Sequence, residues 1–189
     1  LEKTGEANTA FQIRDKEIPS PKKGEVVVKV SAFGLNYADV MARNGLYREA
    51  PAMPCVIGYE VVGKIIEVGP DGDKETIGQR VLAFCRFGGY SRHVITSTLA
   101  ALPIGDLPAE EVLALSTQGV TAFYMTDYLA AIQKGERVLI HAAAGGVGTL
   151  LIQLAKRRGA VVIAKVGSDD KAKIAKAMGA DFTLNYRSK

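Results

Sequence analysis

Cysteine is scarce in this 189-residue chain, with Cys55 and Cys85 the only two. That number rules out a disulfide framework, the separation is not that of metal ligands, and each reads as a small buried thiol. No apolar run is long enough to cross a bilayer. The opening Leu-Glu-Lys-Thr-Gly-Glu has none of the apolar core of a secretory signal, so a cytoplasmic location is the expectation. Also missing is any basic run interleaved with aromatics, which argues against nucleic acid as a partner. The net charge of +4 is scattered along the chain and suits a small ligand carrying several phosphates. With 48% hydrophobic and 23% charged residues, the chain has material for one large or two modest cores.

What is present is concentrated at residues 137–148, Arg-Val-Leu-Ile-His-Ala-Ala-Ala-Gly-Gly-Val-Gly. Val138, Leu139 and Ile140 read as a strand buried on both faces, and Val147, Leu150, Leu151 and Leu154 as the apolar stripe of a following helix. The spacing Ala142-x-x-Gly145-x-x-Gly148 is a dinucleotide fingerprint in which alanine replaces the first glycine. Gly145 and Gly146 let the backbone approach a pyrophosphate, and Gly148 lets helix and strand pack closely. The unpaired N–H groups and positive dipole end of the helix favour an anion. A second strand at Val161–Val166 lies at the right distance for a parallel crossover. Ser168 caps the next helix, Asp169 and Asp170 occupy its first turn, Gly179 lies past its end, and a third strand follows at Phe182–Asn185.

Upstream the texture differs. Between Glu25 and about Ala101, β-rich segments (Val26–Val30, Val61–Val68, Arg80–Phe84, Tyr90–Ile95) are punctuated by Gly and Pro, which predicts a compact β domain. A helix opens at Pro108-Ala-Glu-Glu and another spans Gln118–Ala131. The expected division is a β domain over 1–116 and an α/β domain over 117–189. A dinucleotide fold has two βαβαβ halves and only the first is here, so the chain is expected to be part of a longer protein. The absent initiator methionine points the same way.

Taken in order, Gly34-Leu-Asn-Tyr-Ala-Asp-Val40, Gly58-Tyr-Glu60 and Gln118-Gly-Val-Thr-Ala122 resemble motifs of the medium-chain dehydrogenase/reductase superfamily, and within it the zinc-independent quinone oxidoreductases of the zeta-crystallin type. The resemblance implies an α/β plus β architecture: a GroES-like N-terminal β domain followed by the first half of a Rossmann doubly wound parallel sheet. Zinc-dependent relatives carry Cys where this chain has Asn36 and His where it has Tyr59, and no closely spaced set of four cysteines is present to hold a structural zinc. His93 and His141 read as core or loop residues. No metal is expected. A bound zinc can lower the pKa of an oxygen acid enough to be worth about 12 kcal/mol, so its loss disfavours alcohol oxidation. Quinones and activated enones are already electrophilic, and positioning by the protein supplies several kcal/mol.

The resemblance implies that Asn36 and Tyr47 line the substrate cleft and offer hydrogen bonds to a carbonyl oxygen as it gains charge. Asp39 reads as a structural cap or pair. Cofactor contacts are expected from Asn36, Thr121, Ala144, Gly145, Gly146, Val147, Gly148 and Ser168. Lys171 and Tyr186 match positions that contact a 2′-phosphate, and no carboxylate stands at the end of the second strand, so NADPH is favoured over NADH. Asp169 and Asp170 complicate that preference, because they either repel a phosphate or face solvent. The expected activity is reduction of a small quinone or enone, with the full-length protein a homodimer. An enoyl-thioester reductase of the polyketide-synthase kind, and a non-catalytic crystallin-like or redox-sensing nucleotide binder, are the alternatives.

Overall fold

Five segments build an antiparallel sheet from β1 (Glu25–Phe33), β2 (Glu60–Val68), β3 (Arg80–Phe84), β4 (His93–Ser97) and β5 (Ala101–Pro103), in the order β4-β1-β2-β3-β5, and three of them (β1, β2 and β4) are rich in β-branched residues. Register shifts in the β1/β2 ladder, between Val27 and Val28 and between Val30 and Ala32, bend the pair and curl the sheet. Val26, Val28, Val61, Ile65, Val81, Ala83 and Val94 form one core, and Val62, Leu82, Ile104 and Leu113 a second. Helices α1 (Ala7–Ala10) and α2 (Tyr37–Arg43) contribute Ala10 and Ala42 to a third cluster with Leu1 and Ile57. The computed structural model describes residues 1–188 and divides into two units, Leu1–Leu113 and the chain from Ala114 onward, with α3 (Ala109–Leu115) running across the division.

The second unit begins with α4 (Thr117–Phe123), then alternates β6 (Arg137–Ile140), α5 (Gly146–Arg157), β7 (Val161–Val166), α6 (Asp169–Ala177) and β8 (Phe182–Asn185) in a parallel sheet of order β6-β7-β8. Ile140, Val162, Ala164 and Val166 face Ile152 and Ala155 of α5 and Ala175 of α6 in one buried cluster. The α5 stripe therefore differs from expectation. Gly148, Ile152 and Ala155 are its buried seam, while Val147, Leu150, Leu151 and Leu154 are half-buried. The cause is the closeness of the helix: a Cβ on Gly148 would collide with the Ala142 carbonyl oxygen and lie 2.7 Å from Ala143 Cα, so the smallest residue marks the contact line.

Among the described residues β6 is covered on one face only. It lies at the edge of the three-stranded sheet they form, and register places Leu139 beside Ile163 and Ile163 beside Phe182 on the face away from the helices. Leu139 is 50% exposed, Phe182 60% and Leu184 51%. Two shorter differences complete the picture. β4 begins at His93 rather than Tyr90, because the Tyr90 N–H is taken by the Ile57 carbonyl. The helix expected through Ala131 is α-helical only to Phe123 and continues as a wider π turn over Tyr124–Leu129, where the buried Thr126 hydroxyl lies 3.0 Å from the Ala122 carbonyl oxygen.

Candidate functional site

A cavity of about 450 Å³ opens at the carboxyl ends of β6 and β7. Ligands bind at such strand ends in open α/β sheets. One end is formed by the turn after β6. Ala142 adopts φ +49°, Gly145 closes the turn by donating its N–H to the Ala142 carbonyl at 2.9 Å, and α5 starts at Gly146. The first N–H groups of a helix have no intrahelical acceptor, and Gly145 at the N-cap brings no side chain to satisfy them. The result is an anion-favouring end.

The other end is cationic. Lys165 and Lys171 both line the cavity beside Tyr186. Lys165 Nζ lies 5.6 Å from the centre of the Tyr186 ring, and the Arg187 guanidinium 5.8 Å from the same ring. Among the described residues no carboxylate pairs with any of these three cations. The two nearby acids are engaged elsewhere: Asp169 accepts from the Asn185 amide at 2.8 Å, and Asp170 pairs with Lys173 at 2.9 Å. Neither lines the cavity.

Of the residues expected at the cofactor, Ala144, Gly145, Lys171 and Tyr186 meet on this cavity. Ser168 instead caps α6, its oxygen accepting from the Lys171 N–H at 3.3 Å. A Cβ on Gly146 would overlap the Gln118 side chain, so its bareness makes room for a neighbouring helix as well as for a ligand. Val147 is half-buried in α5, and Thr121 is exposed on α4 with its hydroxyl donating back to the Thr117 carbonyl at 2.7 Å. His141, Ala142, Lys165, Val166 and Gly167 also line the cavity, although sequence reading assigned them no contact. A signal for Lys165 was available. In β7, Val162, Ala164 and Val166 alternate inward, which puts Lys165 on the opposite face at the strand's end.

The polar residues of the first unit form a different kind of cluster. Asn36 precedes α2, and its backbone N–H is taken by the Asp39 carboxylate at 2.9 Å. Its side-chain amide donates to both oxygens of Glu60, at 2.9 and 3.1 Å. Gly34 makes this possible, since a Cβ there would overlap the Glu60 carboxylate. Asp39 and Glu60 are 4% and 1% exposed. Burial holds the Asp39 carboxyl above its usual value, against the lowering effect of the Asn36 N–H and the Tyr90 hydroxyl. Burial, then the neighbouring Glu60 and Asp39, push the Cys85 thiol up to about 12, which keeps it protonated and inert at neutral pH. Tyr47 meets Tyr59 edge to face with ring centres 6.3 Å apart, and burial followed by the Tyr47 hydroxyl raises the Tyr59 phenol.

Comparison with known proteins decides the family. Residues 22–126 match the alcohol dehydrogenase GroES-like domain, and residues 146–189 match the family described as zinc-binding dehydrogenase. The chain belongs to the medium-chain dehydrogenase/reductase superfamily. Its curled antiparallel sheet is the GroES-like half-barrel of that superfamily, followed by the parallel sheet. A probable quinone oxidoreductase of Schizosaccharomyces pombe is 35% identical over 98% of this chain and 56% of its own length. The structure of Escherichia coli quinone oxidoreductase complexed with NADPH superposes on the whole chain with TM-score 0.92 at 31% identity, and the CurK enoyl reductase with 0.87 at 31%. The chain spans 58% and 59% of those two superfamily members.

Proposed function

We propose that this chain carries the NADPH-binding turn and the acceptor-side residues of a metal-free reductase acting on quinones or activated enones. The observation that carries the reading is the cavity with two anion-seeking ends: bare amides at the start of α5, and Lys171 of α6 with Tyr186 just after β8. NADPH has two separated anionic groups to match. The α5 end fits the pyrophosphate and the Lys171 end fits the 2′-phosphate. The acids that would disfavour that phosphate are turned to Asn185 and Lys173. A bound nicotinamide supplies a hydride to an electrophilic acceptor.

Asn36 and Tyr47 are the proposed donors to the acceptor oxygen. Asn36 keeps its amide aligned against Glu60, so an acceptor carbonyl shares the amide with that carboxylate, while Tyr47 presents a phenol. The same contact supports the metal-free part of the proposal, because a zinc ligand needs a lone pair and Asn36 instead presents N–H to Glu60. Among the described residues, no three His, Cys, Asp or Glu side chains gather as a metal site. The similarity to CurK enoyl reductase favours acyl thioesters as a second acceptor class. An NADPH-oxidation assay comparing a simple quinone with an enoyl thioester separates the two. Lys171→Ala tests the cofactor half: about tenfold weaker NADPH binding with NADH unchanged is expected, and equal effects on both would count against it.

A further inference from the structure

Lys165 stands outside every expected contact, yet it lines the cavity next to Lys171 and lays its ammonium 5.6 Å from the centre of the Tyr186 ring. Resting on the NADPH reading above, we propose that Lys165 is a second phosphate-selecting cation, acting both directly on a 2′-phosphate and by holding the Tyr186 ring against the cavity. The two lysines reach the site from different elements. Lys165 comes from the end of β7 and Lys171 from the first turns of α6, with the backbone of Val166 and Gly167 between them on the cavity wall.

Charge balance makes the case for a dianion. Lys165 and Lys171 have no carboxylate partner among the described residues, and Arg187 covers the Tyr186 ring as well. A bare hydroxyl at this end would leave both ammonium groups without a counter-charge inside a shared concavity. A phosphate with two negative charges at neutral pH satisfies both. The ring contact adds a positioning role. Gly167 is free of a Cβ where the Tyr186 hydroxyl passes, so that a Cβ would lie only 2.7 Å from it, and Lys165 bears on the ring by cation–π attraction. The lysine thus fixes the wall on which the adenosine end of the ligand rests.

Calorimetric titration of the chain with adenosine 2′,5′-bisphosphate and with adenosine 5′-monophosphate, which differ only in the 2′-phosphate, tests this without any turnover. The unsubstituted chain is expected to bind the 2′,5′-bisphosphate at least tenfold tighter. Lys165→Met is expected to remove most of that preference while leaving the 5′-monophosphate within about twofold, and Lys165→Arg to restore it. Preference retained in folded Lys165→Met overturns the role of Lys165 and leaves the NADPH reading standing. Absence of any preference in the unsubstituted chain overturns the NADPH reading and this inference with it. Parallel weakening of both probes in Lys165→Met contradicts selection for the 2′-phosphate. Lys165→Gln, uncharged and polar but with two fewer methylenes, serves as the second variant and is expected to lose the preference as Lys165→Met does.

Discussion

The two polar regions of this chain treat charge in opposite ways. In the β unit, Asn36 donates to Glu60, Asp39 accepts from Asn36, and the acids are sealed from solvent. In the α/β unit, Lys165 and Lys171 line the cavity with the turn that opens α5, and among the described residues no carboxylate pairs with either ammonium group. Buried groups must be mutually satisfied or they destabilise the fold. Groups left for a ligand sit where water can solvate them until it arrives. The difference supports the proposed division, with anion recognition in the second unit and acceptor binding in the first.

The largest effect is expected at Gly148. Gly148→Val drives a branched side chain into the backbone of Ala142 and Ala143, and should cost about 3 kcal/mol while abolishing nucleotide binding. Denaturant unfolding followed in the presence and absence of nucleotide measures both; an unperturbed midpoint would mean that the helix does not lie so close. Next comes the acceptor side. Replacing Asn36 by Leu together with Tyr47 by Phe should lower turnover with a quinone about a hundredfold, and unchanged kcat removes both from the proposed chemistry.

A smaller effect concerns pH. Hydrogen bonds from Lys156 and from the Val162 N–H hold the Asp181 carboxyl below its usual 3.8. A depressed folded value means stability that is present above 3.8 and lost as pH falls through the folded value. Asp181→Asn should therefore melt at a lower temperature near pH 7, with the gap from the unsubstituted chain closing as acid protonates Asp181. A gap independent of pH would show that packing, not charge, is what Asp181 provides. The smallest effect has the opposite sign. Ala142 holds φ +49°, a left-handed conformation that disfavours a Cβ, so Ala142→Gly should stabilise the unit by about 0.5–1 kcal/mol. A loss of stability would indicate that the alanine methyl packs usefully in the turn.

Legibility followed locality. β7 and β8 lie where runs of β-branched and apolar residues placed them, and α6 lies between the Ser168 cap and Gly179, because those signals act over a few residues. The glycine turn was readable for the same reason. Less readable was anything set by a distant partner. The Asn36 amide is committed to Glu60, 24 positions away, and Lys165 reaches Tyr186 across a strand and a helix. Of the two faces of β6 expected to be buried, the described residues cover the one toward the helices, and Leu139 on the other is half-exposed. The α5 seam was misjudged because large apolar residues were taken to mark contact, where closeness selected Gly148 and Ala155.

The most direct test is calorimetry of the folded chain with the two pyridine nucleotides. The account predicts saturable binding of NADPH, at least tenfold tighter than NADH, weakened by substitution of Lys171. No binding heat from either nucleotide across a range of temperatures would contradict it.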